Sequence, residues 1–124
     1  MLAQEKEAAI DRVLCHGDFG PGQVLLTGDQ VSIVDLDGAS HGDAALDVAN
    51  FMVGLRVHAG LAGRALSQRF CERYLRRRGI EELPGLPRYS AFAYLRRAMI
   101  LLRKRPTGWD EQALQMVDRA HSSL

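Results

Sequence analysis

The sequence predicts an α+β domain, mostly helical, in which a small β-hairpin and the irregular loop before it are backed by about four or five helices. Three observations carry this expectation. Apolar residues recur at helical steps through most of residues 43–121. Two β-branched-rich runs, Val24-Leu25-Leu26 and Val31-Ser32-Ile33-Val34, flank the turn-forming Thr27-Gly28-Asp29-Gln30, which reads as a hairpin. The stretch His16-Gly17-Asp18-Phe19-Gly20-Pro21-Gly22-Gln23 carries three glycines and a proline, which forbid regular structure there.

Each element follows in order. Leu2 to Arg12 reads as a short helix, with Glu5, Glu7 and Asp11 towards solvent. Val13-Leu14-Cys15 is an apolar lead-in to the loop, and Gly38 to Gly42, with a small residue at nearly every place, is expected to be a second loop. A helix then starts at Gly42-Asp43, where an acid suits the positive end, and packs through Ala44, Val48, Phe51, Met52 and Leu55. Leu61 to Arg78 sets Ala62, Leu66, Phe70 and Tyr74 at four-residue steps, and Gly79 stops it. Pro84 and Pro87 mark a connection. Arg88 to Arg105 repeats the pattern through Phe92, Leu95, Met99 and Leu102 until Pro106-Thr107-Gly108. Trp109 to His121 is the last helix, with Leu114, Val117 and Ala120 inward and Trp109 as a core anchor.

Composition bounds the function. At 124 residues, 47% hydrophobic and 25% charged, the chain has the make-up of one soluble globular domain. No apolar run approaches the roughly 20 residues of a membrane span, and the acidic, alanine-rich Met1–Ile10 is not a secretory signal. A cytoplasmic protein is expected, with Cys15 and Cys71 as buried thiols. Charge is uneven: residues 1–55 hold nine acids against Lys6 and Arg12, while residues 56–124 hold 14 bases against six acids. Arg76-Arg77-Arg78 and Arg103-Lys104-Arg105 sit at helix C-terminal ends, where bases are favoured, and no aromatic residues interleave with them. They read as a solvated or docking face, so no nucleic-acid partner and no membrane partner is expected.

The acids of the first half converge on the hairpin. A three-residue loop, Gly28 to Gln30, sets Gln23 opposite Asp35, roughly 4.5–5.5 Å apart, and a four-residue loop shifts this by one position. Asp18, on a tight loop five residues before Gln23, can fold back to the same place. Carboxylate and carboxamide oxygens are what a hard divalent ion such as Mg2+ takes.

Together, His16-Gly17-Asp18, the amide of Gln23, the hairpin ending Ile33-Val34-Asp35-Leu36-Asp37, and Gly42-Asp43-Ala44-Ala45-Leu46-Asp47-Val48-Ala49 resemble the catalytic core of the aminoglycoside phosphotransferase/choline kinase family. That resemblance covers essentially the whole chain and is most specific over residues 15–50. It implies a protein-kinase-like C-terminal lobe, with the hairpin carrying the catalytic and metal site. It also implies Asp18 as catalytic base, Gln23 and Asp35 as Mg2+ ligands, and Asp47 as a brace for the catalytic loop. Gln23 stands where the family usually has Asn. ATP would be the co-substrate, and the acceptor a hydroxyl of an aminoglycoside, sugar or amino alcohol.

Each residue also has a plainer reading. Asp18 could cap its own loop, Gln23 could be a hydrogen-bonding strut, and Asp47 could be a helix-dipole acid. Asp37 is a second metal ligand or a turn residue, and His16 is expected to be structural, its ring bonded to backbone near Asp35.

The family's other lobe has no counterpart in residues 1–124, which read as one domain: Lys6 and Lys104 are the only lysines, and no glycine-rich phosphate loop follows a strand. The nucleotide-binding lobe is expected to come from a longer chain or a partner chain, with a homo-oligomer as the other partner expected, and the chain alone is expected to be very slow. The competing reading is a truncated or degenerate relative that persists as a helical interaction module without activity. A weaker third is a metal-dependent phosphoester hydrolase.

Overall fold

The computed structural model describes residues 12–124. Strand β1 (Arg12–Cys15) enters the loop, and one turn of 3-10 helix (Pro21–Gln23) leads into β2 (Val24–Thr27) and β3 (Gln30–Ile33). Strand β4 (Ser40–Asp43) precedes four helices: α1 (Ala44–His58), α2 (Leu61–Arg78), α3 (Leu86–Lys104) and α4 (Trp109–Ser123). The helix expected over Leu2–Arg12 falls on residues outside those described, except Arg12, which opens β1. No helix among the described residues is long and apolar enough to cross a membrane.

The strands form two antiparallel ribbons, β1 with β4 and β2 with β3. The stretch expected to be a loop over Gly38–Gly42 is therefore partly strand. Ser40–Asp43 has no strand-like pattern and acquires its ladder from β1, with Cys15 opposite Ser40 and Arg12 opposite Asp43. The hairpin is tighter than expected. Thr27 pairs with Gln30, leaving Gly28-Asp29 as a two-residue loop, and Val24 pairs with Ile33. Gln23 consequently faces Val34, whose N–H donates to the Gln23 carbonyl (3.0 Å), and not Asp35. Two-residue loops match the twist of the flanking strands best when the first position takes positive φ, as Gly28 does at 62°.

Helix α1 is the centre of the molecule. A helix apolar all round is buried all round, and α1 packs on two sides. Val53 joins Ala91, Ala93 and Tyr94 of α3 and Met116 and Ala120 of α4. Ala44, Ala45, Val48 and Met52 meet Leu83, with Phe70, Cys71, Tyr74 and Leu75 of α2 against them. Asp43 caps the helix, its side chain accepting the Ala45 N–H at 3.0 Å.

The outer helices pack through smaller residues than their patterns suggest. On α2 the buried positions are Gly63 and Ser67, while Ala62 and Leu66 are exposed. A Cβ on Gly63 would collide with the Leu55 carbonyl, and buried Ser67 accepts from Arg56 Nε (2.9 Å) and donates to the Arg64 carbonyl (2.8 Å). On α3, Ser90, Ala91, Ala93 and Tyr94 are buried, whereas Phe92, Leu95, Met99 and Leu102, expected inward, are exposed. On α4, Met116 and Ala120 are buried, and Leu114 and Val117 are exposed. Trp109 is half-buried with the Arg105 guanidinium over its ring, not a core anchor. Small side chains let the helix axes approach, which decides the buried face over simple apolarity. Of the two thiols, Cys15 is buried and Cys71 only half-buried.

Candidate active site

The loop between β1 and β2 is held from below by α1. The Asp47 carboxylate accepts the backbone N–H of His16 (2.6 Å) and of Gly17 (3.0 Å), two charge-assisted bonds to consecutive amides. Gly17 makes this turn at φ 92°, and a Cβ there would stand 2.9 Å from the Gly38 carbonyl oxygen. Both features call for glycine.

A single imidazole ties the loop to the far end of the hairpin. His16 is buried; its Nδ1 accepts the Asp18 N–H (3.2 Å) and its Nε2 meets the Val34 carbonyl (2.8 Å). Nδ1 accepting from a backbone amide fixes the ring proton on Nε2, which donates to Val34. The backbones of Asp18 and of the Val34-Asp35 segment are thus one ring and two hydrogen bonds apart. Asp35 is exposed and takes a left-handed backbone, φ 62°. Aspartate tolerates that region better than most residues, and such positions gather at functional sites. Asp37 is exposed in the turn closed by the Ala39 N–H on the Leu36 carbonyl (3.0 Å).

Aromatic rings support the loop from the side. Phe19 stacks on Phe51 of α1 (4.8 Å, 16°), Phe51 meets Phe70 of α2 (4.4 Å), and Phe70 reaches Tyr74 (6.4 Å). His16 lies 5.7 Å from Phe19 at the head of this row. On the other side, Gly54 lets Pro21 settle against α1, since a Cβ there would come within 2.5 Å of Pro21 Cδ.

Asp18 and Gln23 open onto one cavity of ≈ 650 Å³ between the loop, α1, α3 and α4. Its far wall brings residues that sequence spacing does not indicate. Arg96 Nη2 lies 3.2 Å from Asp18 Oδ1, with both side chains partly exposed. Arg97 is half-buried, and among the described residues its guanidinium bonds to the Ala93 carbonyl alone, at 3.4 Å. Burial, with Arg96 alongside, pulls Arg97 below the usual arginine range. Asn50 lines the same cavity, and its amide nitrogen is buried without an acceptor among the described residues.

Among the described residues no three His, Cys, Asp or Glu side chains converge. Of the predicted site residues, Asp18 and Gln23 line the cavity and Asp35 and Asp37 do not; Asp47 and His16 act on the backbone, Asp47 holding the His16 and Gly17 amides and His16 linking the Asp18 amide to the Val34 carbonyl. The α3 arginines were missed because 78 residues separate Arg96 from Asp18. A run of two arginines on a helix carries no signal of its own.

The family model described as the phosphotransferase enzyme family, APH, matches residues 1–92, from the start of the chain into α3. No curated protein and no solved structure matches the chain. With about three quarters of its length matched, including the whole loop, hairpin and α1, the chain belongs to the APH phosphotransferase enzyme family.

Proposed function

We propose that this chain is the catalytic lobe of an ATP-dependent small-molecule kinase, which transfers the terminal phosphoryl group to a hydroxyl of a small-molecule acceptor. The observation that carries the reading is the imidazole bridge: His16 holds the Asp18 loop and the Asp35 segment together, and Asp47 anchors that loop to α1. Asp18 is exposed on the cavity, so its carboxylate can take the proton of an acceptor hydroxyl as the oxygen attacks phosphorus and ADP leaves.

The donor set fits a hard divalent ion. Asp35 offers an exposed carboxylate on a left-handed backbone, and Gln23 an amide whose Oε1 curls back to within 3.2 Å of where a Cβ on Gly20 would stand. Asp35 and Gln23 would hold Mg2+, with Asp37 two residues beyond Asp35. Bound there, the ion would neutralise charge developing on the phosphate oxygens. On one face the hairpin presents Leu26, Val31 and Ile33 to solvent at 74%, 65% and 51% exposure, an apolar surface suited to a nucleotide base. The lysine and glycine-rich cover over ATP would come from a further lobe, in a longer chain or a partner chain.

The test is transfer from γ-labelled ATP to a panel of polyols, measured with the nucleotide-covering lobe present. Asp18→Asn should lower turnover by roughly 10²–10⁴-fold while leaving the helix content intact. Unchanged turnover would remove the base assignment.

A further inference from the structure

We infer that the acceptor is a hydroxylated anion, a polyol or sugar bearing a carboxylate or phosphate group, and that Arg96 and Arg97 hold that group. The inference rests on the phosphotransfer reading of Asp18 and adds to it the charge of the substrate.

The cavity beside Asp18 has the wrong sign for a polycation. Its lining carries one carboxylate, Asp18, against the guanidinium groups of Arg96 and Arg97, with His58 also on the wall. A partly buried guanidinium is costly; the only hydrogen bond the Arg97 guanidinium makes among the described residues is the 3.4 Å one to the Ala93 carbonyl, and the nearby Asp18 charge offsets only part of its burial. Its planar fork of donors is the group that matches a carboxylate or phosphate two bonds at a time. Burial and the adjacent Arg96 lower its pKa, and an anion arriving on its half-buried fork would offset both.

Arg96 couples the two ends of the substrate. It already lies 3.2 Å from Asp18, so it can reach an anion on Arg97 and the catalytic carboxylate in turn. An anionic group that takes over the Arg96 guanidinium releases Asp18 to accept the hydroxyl proton; a neutral acceptor leaves the Asp18–Arg96 pair closed. Ile100, Leu101 and Met116 supply an apolar wall for the carbon skeleton. At ≈ 650 Å³ the space suits a monosaccharide-sized molecule. Both arginines lie beyond residue 92, where the family match ends.

The experiment is calorimetric titration of the chain at low salt with gluconate, glycerol 3-phosphate, sorbitol and kanamycin, on the native protein and on Arg96→Gln and Arg97→Gln. Gluconate or glycerol 3-phosphate should bind at least about tenfold more tightly than sorbitol, and kanamycin more weakly than either. Each substitution should weaken the anion about tenfold, the effect of losing charge-assisted hydrogen bonds. Comparing gluconate with glycerol 3-phosphate tells a carboxylate from a phosphate. Arg96 is partly exposed and its replacement leaves the core intact, so a fold defect at Arg97 does not spoil the test. Equal binding of sorbitol, preference for kanamycin, or indifference to both substitutions overturns the inference. A parallel Mg2+ titration of native protein and Asp35→Asn separates the two levels. Mg2+ binding that depends on Asp35, without anion selectivity, sinks the acceptor assignment alone. Mg2+ binding indifferent to Asp35 overturns the phosphotransfer reading and the acceptor assignment with it.

Discussion

Asp47 offers the sharpest check on how the loop is held. Its two oxygens accept from His16 N at 2.6 Å and Gly17 N at 3.0 Å, and a hydrogen bond to a charged group is worth about 1.5–3 kcal/mol. Asp47→Ala removes both acceptors and leaves two partly buried amides unpaired, at a cost of about 3–5 kcal/mol. Against a total stability of about 5–15 kcal/mol that could unfold the domain, so the informative variant is Asp47→Asn. Asparagine keeps one acceptor oxygen and turns an NH2 group towards the second amide, which costs about 1.5–3 kcal/mol. Urea unfolding followed by far-ultraviolet circular dichroism should show the midpoint falling by about 1 M with an unchanged slope. A midpoint within about 0.3 M of the native protein would refute the claim that this carboxylate carries the loop.

Two further outcomes follow from the same geometry. Gly17→Ala should destabilise by at least about 1–3 kcal/mol, because φ 92° is strained for alanine and the Gly38 carbonyl blocks its Cβ. Gly28→Ala, at φ 62° with open space around it, should cost less, and equal losses would show the Gly38 contact to be slack. Burial raises the Cys15 thiol, with Asp47 and Asp43 adding to the effect, and burial followed by Glu72 raises Cys71. Both should therefore react slowly with a disulfide reagent at pH 8 in the folded protein and fully after unfolding. Because these pKa values are raised in the folded state, the stability they lend is intact below the ordinary thiol value of 9.0 and lost as pH climbs past it. Stability rising above that pH, or rapid labelling of native Cys15, would contradict the packing.

What the sequence disclosed divides along local and non-local lines. Helix α2 lies where its pattern and Gly79 put it, Leu61–Arg78, and α3 begins at Leu86 rather than Arg88 because Pro87 in the first turn needs no N–H partner. The faces of α2 and α4 were read in part, Phe70 and Tyr74 packing on the core and Ala120 buried, while Ala62, Leu66, Leu114 and Val117 and the whole α3 stripe were misread for a different reason. Phe92, Leu95, Met99 and Leu102 make a better apolar stripe than Ser90, Ala91, Ala93 and Tyr94, yet the latter pack, because small residues permit close crossing. The pairing of β1 with β4 joins segments 28 residues apart by a ladder that Ser40-His41-Gly42-Asp43 does not advertise. At the site, the loop, the hairpin and Asp47 were readable from spacing and from resemblance. The Asp35 backbone, the one-residue shift of register and the arrival of Arg96 at Asp18 depend on the assembled fold.

The central claim is that Asp18, Gln23 and Asp35 serve one cation-dependent site. Titrating the isotope-labelled chain with Mn2+ in place of Mg2+ and following paramagnetic broadening of its amide signals tests this directly. Broadening should strike Asp18, Gln23 and Asp35 together at low Mn2+, with α2 and α4 spared, and should vanish in Asp35→Asn. Broadening that starts elsewhere, or that touches Asp35 without Asp18, would contradict it.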